Sequence, residues 1–250
     1  MPAPYRGVLL DLFGTLITFE PGRLPEMQVG SERVRTTVAG LAASLATWAP
    51  GTTPEGFLQA LVAVSDEMAR GRTSDHVELP SRERFRRALE RVGCDDTRLA
   101  EAAVHLSRAH MALIATATIL PDEHRALLEA LRPRYRLGLV SNFDDTATAY
   151  EILRRHGLLA YLDSVVVSET LGLRKPHPAL VRAGLVDLGL GADEVLFVGD
   201  TFAEDVLGAR AAGVDAAWID ARGGGVPDGA TPPRFRLRGL CELAPLLVTP

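Results

Sequence analysis

Four short segments of this 250-residue chain carry side chains that can do chemistry. Asp11 opens the run Asp11-Leu12-Phe13-Gly14-Thr15-Leu16, and Ser141 and Asn142 sit side by side. Lys175 lies within Gly172-Leu173-Arg174-Lys175-Pro176-His177-Pro178, and Asp200 and Asp205 bracket the acidic segment that follows Gly199. Carboxylates can attack an electrophile or hold a hard cation through oxygen. Hydroxyl, amide and ammonium groups suit an anionic oxygen. Each segment alone also reads as a turn or a helix cap. Lys175 stands out in a further way, because it is the single lysine among 27 basic residues. An arginine-favouring composition explains the rest. A compact ammonium kept among guanidiniums points to a site whose geometry requires it.

The elements that must position these groups follow from apolar patterning. Residues 8–10, 137–140, 165–167, 195–198 and 216–219 are continuous aliphatic runs, as expected of parallel strands covered on both faces. A helical pattern precedes each of the last four. One starts at Asp122 as N-cap and buries Leu127, Leu128 and Leu131; the others cover about 145–156, 178–188 and 203–212, the last stopping at Gly213. This alternation predicts a doubly wound α/β core with a parallel sheet. Ligands bind outside the carboxyl ends of such strands. All four reactive segments fall at that edge, and the coincidence carries more weight than any one of them.

The first and second strands are separated by more than a hundred residues. Val34, Val38, Leu41 and Leu45 recur at helix spacing, and further helices are predicted to start at Thr53-Pro54, Ser81 and Asp96. The last places Leu99, Ala103, Leu106 and Leu113 on one face. Residues 18–116 are therefore expected to form an all-helical cap domain, with 1–17 and 117–250 as the core. Gly223-Gly224-Gly225 leads into Pro227, Pro232 and Pro233 rather than a helix, so it reads as a surface loop and not a nucleotide cradle. Asp144 and Asp145 are expected to cap the helix after the second strand, and Trp48 and Trp218 to serve packing.

Composition narrows the function. A formal charge of −5 argues against a nucleic-acid partner, since phosphate backbones reward a basic face. It leaves room for a small anionic substrate at a local positive site. Cys94 and Cys241 form no Cys-x-x-Cys pair, which suits a reducing compartment. Asp11 interrupts the first apolar run, and residues 111–120 are too short to cross a bilayer. The expectation is a cytoplasmic protein without a membrane partner, as a monomer or homodimer.

The order of the four segments resembles the four-motif signature of the haloacid dehalogenase superfamily, over nearly the whole chain. The helical insertion falls where the subfamily containing the dehalogenases places its cap. The tail from Leu237 to Leu247 also resembles that family's closing segment. The resemblance implies Asp11 as nucleophile, Ser141 as the hydroxyl holding the transferring group, and Asn142 and Lys175 as further substrate contacts. It also implies Mg2+ bound by Asp11, Asp200, Asp205 and the backbone carbonyl of Phe13, with Asp205 bonded directly or through water. The implied reaction is hydrolysis of a small phosphorylated metabolite through an aspartyl-phosphate. An anion approaching an anion needs positive charge between them, which a hard cation supplies.

Phe13 departs from the phosphatase pattern, which has a second aspartate there as general acid and base. L-2-haloacid dehalogenases carry an aromatic residue at that position, because a leaving halide needs no proton. They lack the second and third acidic residues, and Asp200 and Asp205 would repel an incoming carboxylate. Arg33 and Arg35 could serve such a substrate, but read more simply as a solvated helix face. Phosphonoacetaldehyde hydrolases need a cap lysine, and this chain has none. A third reading is a member that binds a metabolite or a protein without turnover. Phe13 favours it; Lys175 and the intact acidic motif oppose it.

Overall fold

The computed structural model describes residues 5–71 and 75–248. Residues 1–4, 72–74 and 249–250, which the expected domain segments include, lie outside the described residues. The chain divides into two compact units, Met1–Thr18 with Ile119–Thr146 and Leu153–Pro250, and Phe19–Thr118 with Ala147–Ile152.

In chain order the main elements are β1 (Gly7–Leu10), then helices α1 (Ala42–Trp48), α2 (Pro54–Gly71), α3 (Ser81–Arg91) and α4 (Asp96–Thr116). There follow α5 (Asp122–Leu131), β2 (Arg136–Ser141), α6 (Thr146–Arg155), β3 (Ser164–Val167), α7 (Ala179–Leu188) and β4 (Val195–Gly199). The chain closes with α8 (Leu207–Ala211), β5 (Asp215–Ile219) and β6 (Phe235–Leu237). The six strands form one parallel sheet in the order β6-β5-β4-β1-β2-β3. This is the doubly wound α/β core that the apolar runs predict. Strand order reverses at β1, which lies between β4 and β2, so the switch-point crevice opens beyond the carboxyl ends of β1 and β4.

Continuous burial explains why these strands are readable. All four residues of β1 and all five of β4 are buried. Leu9, Val140, Leu180, Leu185, Phe197 and Trp218 belong to one cluster of apolar side chains in this unit. Each fully buried side chain of this kind contributes roughly 1.5–3 kcal/mol. The sixth strand was not expected. It is three residues long, lies at the sheet edge and carries Arg236 in its centre, so it has no apolar run.

The second unit buries Leu41, Leu45, Phe57, Leu61, Val64, Phe85, Leu89, Leu99 and Leu106 together, with the Phe57 and Phe85 rings 5.9 Å apart. Helix starts at Pro54, Ser81 and Asp96 agree with expectation, and Asp95 caps the last by accepting from Thr97 N at 2.9 Å. The beginning of this unit is not helical. Glu26–Val29 and Glu32–Arg35 pair as an antiparallel hairpin turning at Gly30, whose φ is +57°. The Val34–Val38 spacing mimicked a helix across a strand and a 3-10 turn. Arg33 and Arg35 accordingly sit on this hairpin, not a helix face, and Arg35 donates to the carbonyls of Gly22 and Leu24.

A smaller correction concerns a cap. Pro121 rather than Asp122 precedes α5, leaving Asp122 in its first turn. At α6 the N–H of Thr146 donates to the Glu169 carboxylate at 2.6 Å, a partner not visible in local sequence. Among the described residues no helix is long and apolar enough to cross a membrane.

Candidate active site at the strand ends

Asp11 follows β1, Ser141 ends β2, and Asp200 follows β4. Their elements are adjacent in the sheet, so the three reach one crevice without any long loop. Asp11 N donates to Val198 O at 2.9 Å, which ties the nucleophile candidate to the neighbouring strand. One carboxylate oxygen from each of Asp11, Asp200 and Asp205 lies within 4.8 Å of the others. Two glycines permit this approach. A Cβ on Gly14, whose φ is +81°, would run into the Asp200 carboxylate. One on Gly199 would run into Asp205. The cluster therefore depends on side chains being absent at those two positions.

Lys175 is 1% exposed, and its ammonium is 2.7 Å from both Asp11 Oδ1 and Asp205 Oδ1. It donates also to Val140 O at 2.8 Å. Asp11 and Val140 thus accept hydrogen bonds from it, while the Asp205 contact is an ion pair in which Asp205 Oδ1 accepts no hydrogen bond. Burial opposes this ammonium, but Asp11 and Asp205 outweigh it and hold its pKa above the ordinary lysine value. Burial pushes the Asp11 carboxyl up to about 7, helped by Asp205 and Asp200 and opposed by Lys175. Asp200 is raised as well, by burial and by Asp205. Three carboxylates share one ammonium, leaving a negative excess in a buried place.

Asn142 was expected to meet the substrate, but its amide is occupied. Its Nδ2 donates to Lys175 O at 3.0 Å and to Glu204 Oε2 at 2.9 Å, while Oδ1 accepts from Lys175 N at 2.7 Å. Glu204 in turn accepts from Arg174 at 2.9 Å. Asn142, Glu204 and Arg174 therefore hold the lysine segment against the acidic segment. Glu204 and Arg174 lie within the acidic and lysine segments, and that position was the signal available for them. The hydroxyls of Ser141 and Thr15 are different: both are buried and have no hydrogen-bond partner. Thr15 lies within the first motif, which was the signal that could have singled it out.

Phe13 is half-buried and packs its ring against Phe143, centroids 5.2 Å apart and tilted by 37°. Trp218, 7% exposed, packs in the core as expected, and its Nε1 also donates to Asp200 O at 2.9 Å. The glycine stretch after β5 wraps a carboxylate of the chain itself. Gly224 N and Gly225 N each donate to Asp220 at 3.0 Å, and Arg236 donates from the other side.

The pattern of haloacid dehalogenase-like hydrolases matches residues 5–213. The chain belongs to this family of hydrolases. It is 34% identical over 165 residues to a phosphoserine phosphatase of Thermus thermophilus, covering 66% of this chain and 64% of that one. It is 33% identical over 169 residues to the pyrimidine 5'-nucleotidase YjjG of Escherichia coli, covering 66% and 69%. The chain thus spans about two thirds of these curated relatives. Among solved structures, a 2-haloacid dehalogenase from Pseudomonas syringae superposes with a TM-score of 0.70 at 24% identity, covering 97% and 98% of the two chains. The magnesium-bound hydrolase YfnB of Bacillus subtilis gives 0.65 at 20% identity, covering 98% and 99%. At these identities the superpositions establish the fold alone.

Proposed function

We propose that this family member is a magnesium-dependent phosphohydrolase of small phosphorylated molecules, with Asp11 as nucleophile. The observation that carries the reading is the negative excess of Asp11, Asp200 and Asp205 around one ammonium. A hard divalent cation bound by carboxylate oxygens would offset that excess. Asp11, Asp200 and Asp205, with the Phe13 carbonyl, would hold it. When bound, the ion supplies the positive charge that lets a carboxylate approach a phosphoryl group. The two curated relatives, a phosphoserine phosphatase and a pyrimidine 5'-nucleotidase, support the reaction class rather than one substrate.

The chain's own residues divide the remaining work. Lys175 opposes the protonation of Asp11 that burial favours and aims its carboxylate, with Asn142, itself held by Glu204, fixing the lysine's backbone. The unpaired hydroxyls of Ser141 and Thr15 are the free groups for a phosphoryl oxygen, since a buried hydroxyl gains most where it has no other partner. Attack by an Asp11 oxygen on phosphorus breaks the bond to the leaving oxygen and gives an acyl phosphate. Water then attacks that phosphorus, releasing inorganic phosphate and restoring the carboxylate.

Carbon–halogen hydrolysis is the second reading, favoured by the aromatic Phe13 and opposed by the acidic excess. A purified-protein screen over phosphate esters, acyl phosphates and 2-haloacids, each with magnesium or chelator, separates them. The expected result is phosphate release abolished by chelator and, by about 10⁴-fold or more, in Asp11→Asn. Halide release that resists chelator would replace this reading with the second. Silence on every compound would favour a binding protein without turnover.

A further inference from the structure

Two aromatic residues follow site residues of β1 and β2 at the same sequence interval. Asp11 and Ser141 stand at the ends of β1 and β2, which pair directly, Leu10 facing Leu139. Phe13 lies two residues beyond Asp11, and Phe143 two residues beyond Ser141. The rings meet with centroids 5.2 Å apart. Both backbones are pinned, so the pair is presented and not floppy. Gly14 N donates to Ile17 O at 2.8 Å, and Phe13 bridges Ile17. Phe143 N donates to Ser168 Oγ at 2.8 Å, and that hydroxyl donates back to Phe143 O at 3.1 Å. Both residues are half-buried.

Resting on the phosphohydrolase reading, we propose that Phe13 and Phe143 receive the departing group, and that the preferred substrates are aryl phosphates with an uncharged ring. A hydrocarbon ring stands at the position beside Asp11 and cannot protonate a leaving oxygen. The group that leaves must therefore be stable as an anion. It must also gain from contact with aromatic faces, which favour offset or tilted partners. A phenolate meets both demands: its charge is delocalised into a planar ring. An alkoxide meets neither, and acetate meets only the first. A further carboxylate on the ring would be repelled by the acidic cluster. In the step, Asp11 forms its bond to phosphorus as the bond to the aryl oxygen breaks, and the electron pair leaves with the phenolate.

The test pairs phenyl phosphate with acetyl phosphate, using the magnesium-loaded enzyme and its Phe143→Leu variant. Leucine keeps apolar bulk and removes the aromatic face. The ratio of kcat/KM for phenyl over acetyl phosphate is expected to fall about threefold to tenfold in the variant, through KM for the phenyl ester. This ratio does not depend on the fraction of variant that is folded. An unchanged ratio with both compounds turned over would overturn the aryl assignment alone. Failure of the unmodified enzyme to release phosphate from either would overturn the phosphohydrolase reading beneath it.

Discussion

Two carboxylate sites lie on neighbouring strand ends of the same sheet, and they are solved in opposite ways. Beyond β5, Asp220 is 7% exposed and has more partners than it needs: two glycine N–H groups and the Arg236 guanidinium. The N–H of Gly225, with that guanidinium and the N–H of Gly224, holds its pKa below the ordinary carboxylate value. Beyond β1 and β4, Asp11, Asp200 and Asp205 share a single ammonium, and burial raises both Asp11 and Asp200. Burial is common to the two sites; satisfaction is not. A carboxylate whose partners are complete within the chain is a fastener. A cluster left short of positive charge has a place prepared for something that arrives from outside.

The strongest way to sharpen this contrast is to add to the starved cluster. Phe13→Asp places a fourth carboxyl beside Asp11 and restores a proton donor for the leaving oxygen. A positioned general acid contributes typically about 10²–10⁴-fold, or roughly 3–5 kcal/mol of barrier. Hydrolysis of alkyl phosphates by the variant is expected to rise into that range, with a smaller change for acyl phosphates. Steady-state kinetics on both classes, with the fold verified by circular dichroism, checks this. No gain on alkyl esters would mean that Phe13 is not what limits their hydrolysis.

The elements and the positions of the four reactive segments were legible because they rest on local properties. Strands covered on both faces show as unbroken aliphatic runs, so β1 and β4 were visible to within a residue. Where burial is one-sided or slight, as in the hairpin from Glu26 to Arg35 and in β6, the pattern was absent or misleading. The convergence of Asp11, Ser141, Lys175, Asp200 and Asp205 on one edge followed from strand order. Their couplings did not. Asn142 clasps a backbone 33 residues away and meets a glutamate 62 residues away, distances over which side-chain partners leave no periodicity. The Phe13–Phe143 contact likewise joins two loops beyond the paired ends of β1 and β2, where no strand pattern reaches.

A second, smaller effect separates the two sites through ligand linkage. A cation that binds the folded chain alone stabilises it by about 2.7 kcal/mol at a hundredfold excess over its Kd. Thermal melts with and without magnesium are expected to show an upward shift in the unmodified protein. Asp200→Asn should lose most of that shift, because it removes a carboxylate from the starved cluster. Asp220→Asn should keep it whole. Equal shifts in the two variants would mean that the cation acts somewhere other than the Asp11 cluster.

The smallest expected effect belongs to Asp220 itself. Replacing its carboxylate by an amide keeps an acceptor for one of the two glycine N–H groups, which bond different oxygens, and loses the charge facing Arg236. Asp220→Asn is therefore expected to lower the melting temperature at pH 7 by only a few degrees, with phosphate release unchanged. The sign of its pH dependence follows from the depressed pKa. A carboxylate held below its unfolded value contributes stability above that unfolded value and loses it as pH falls through the folded one. The gap between the two proteins' urea midpoints should thus stay constant from neutral pH down to the ordinary carboxylate range, then close below it. A gap that persisted in acid would assign the loss to packing around the loop, and Asp220 would no longer serve as the charge-satisfied counterpart of Asp11.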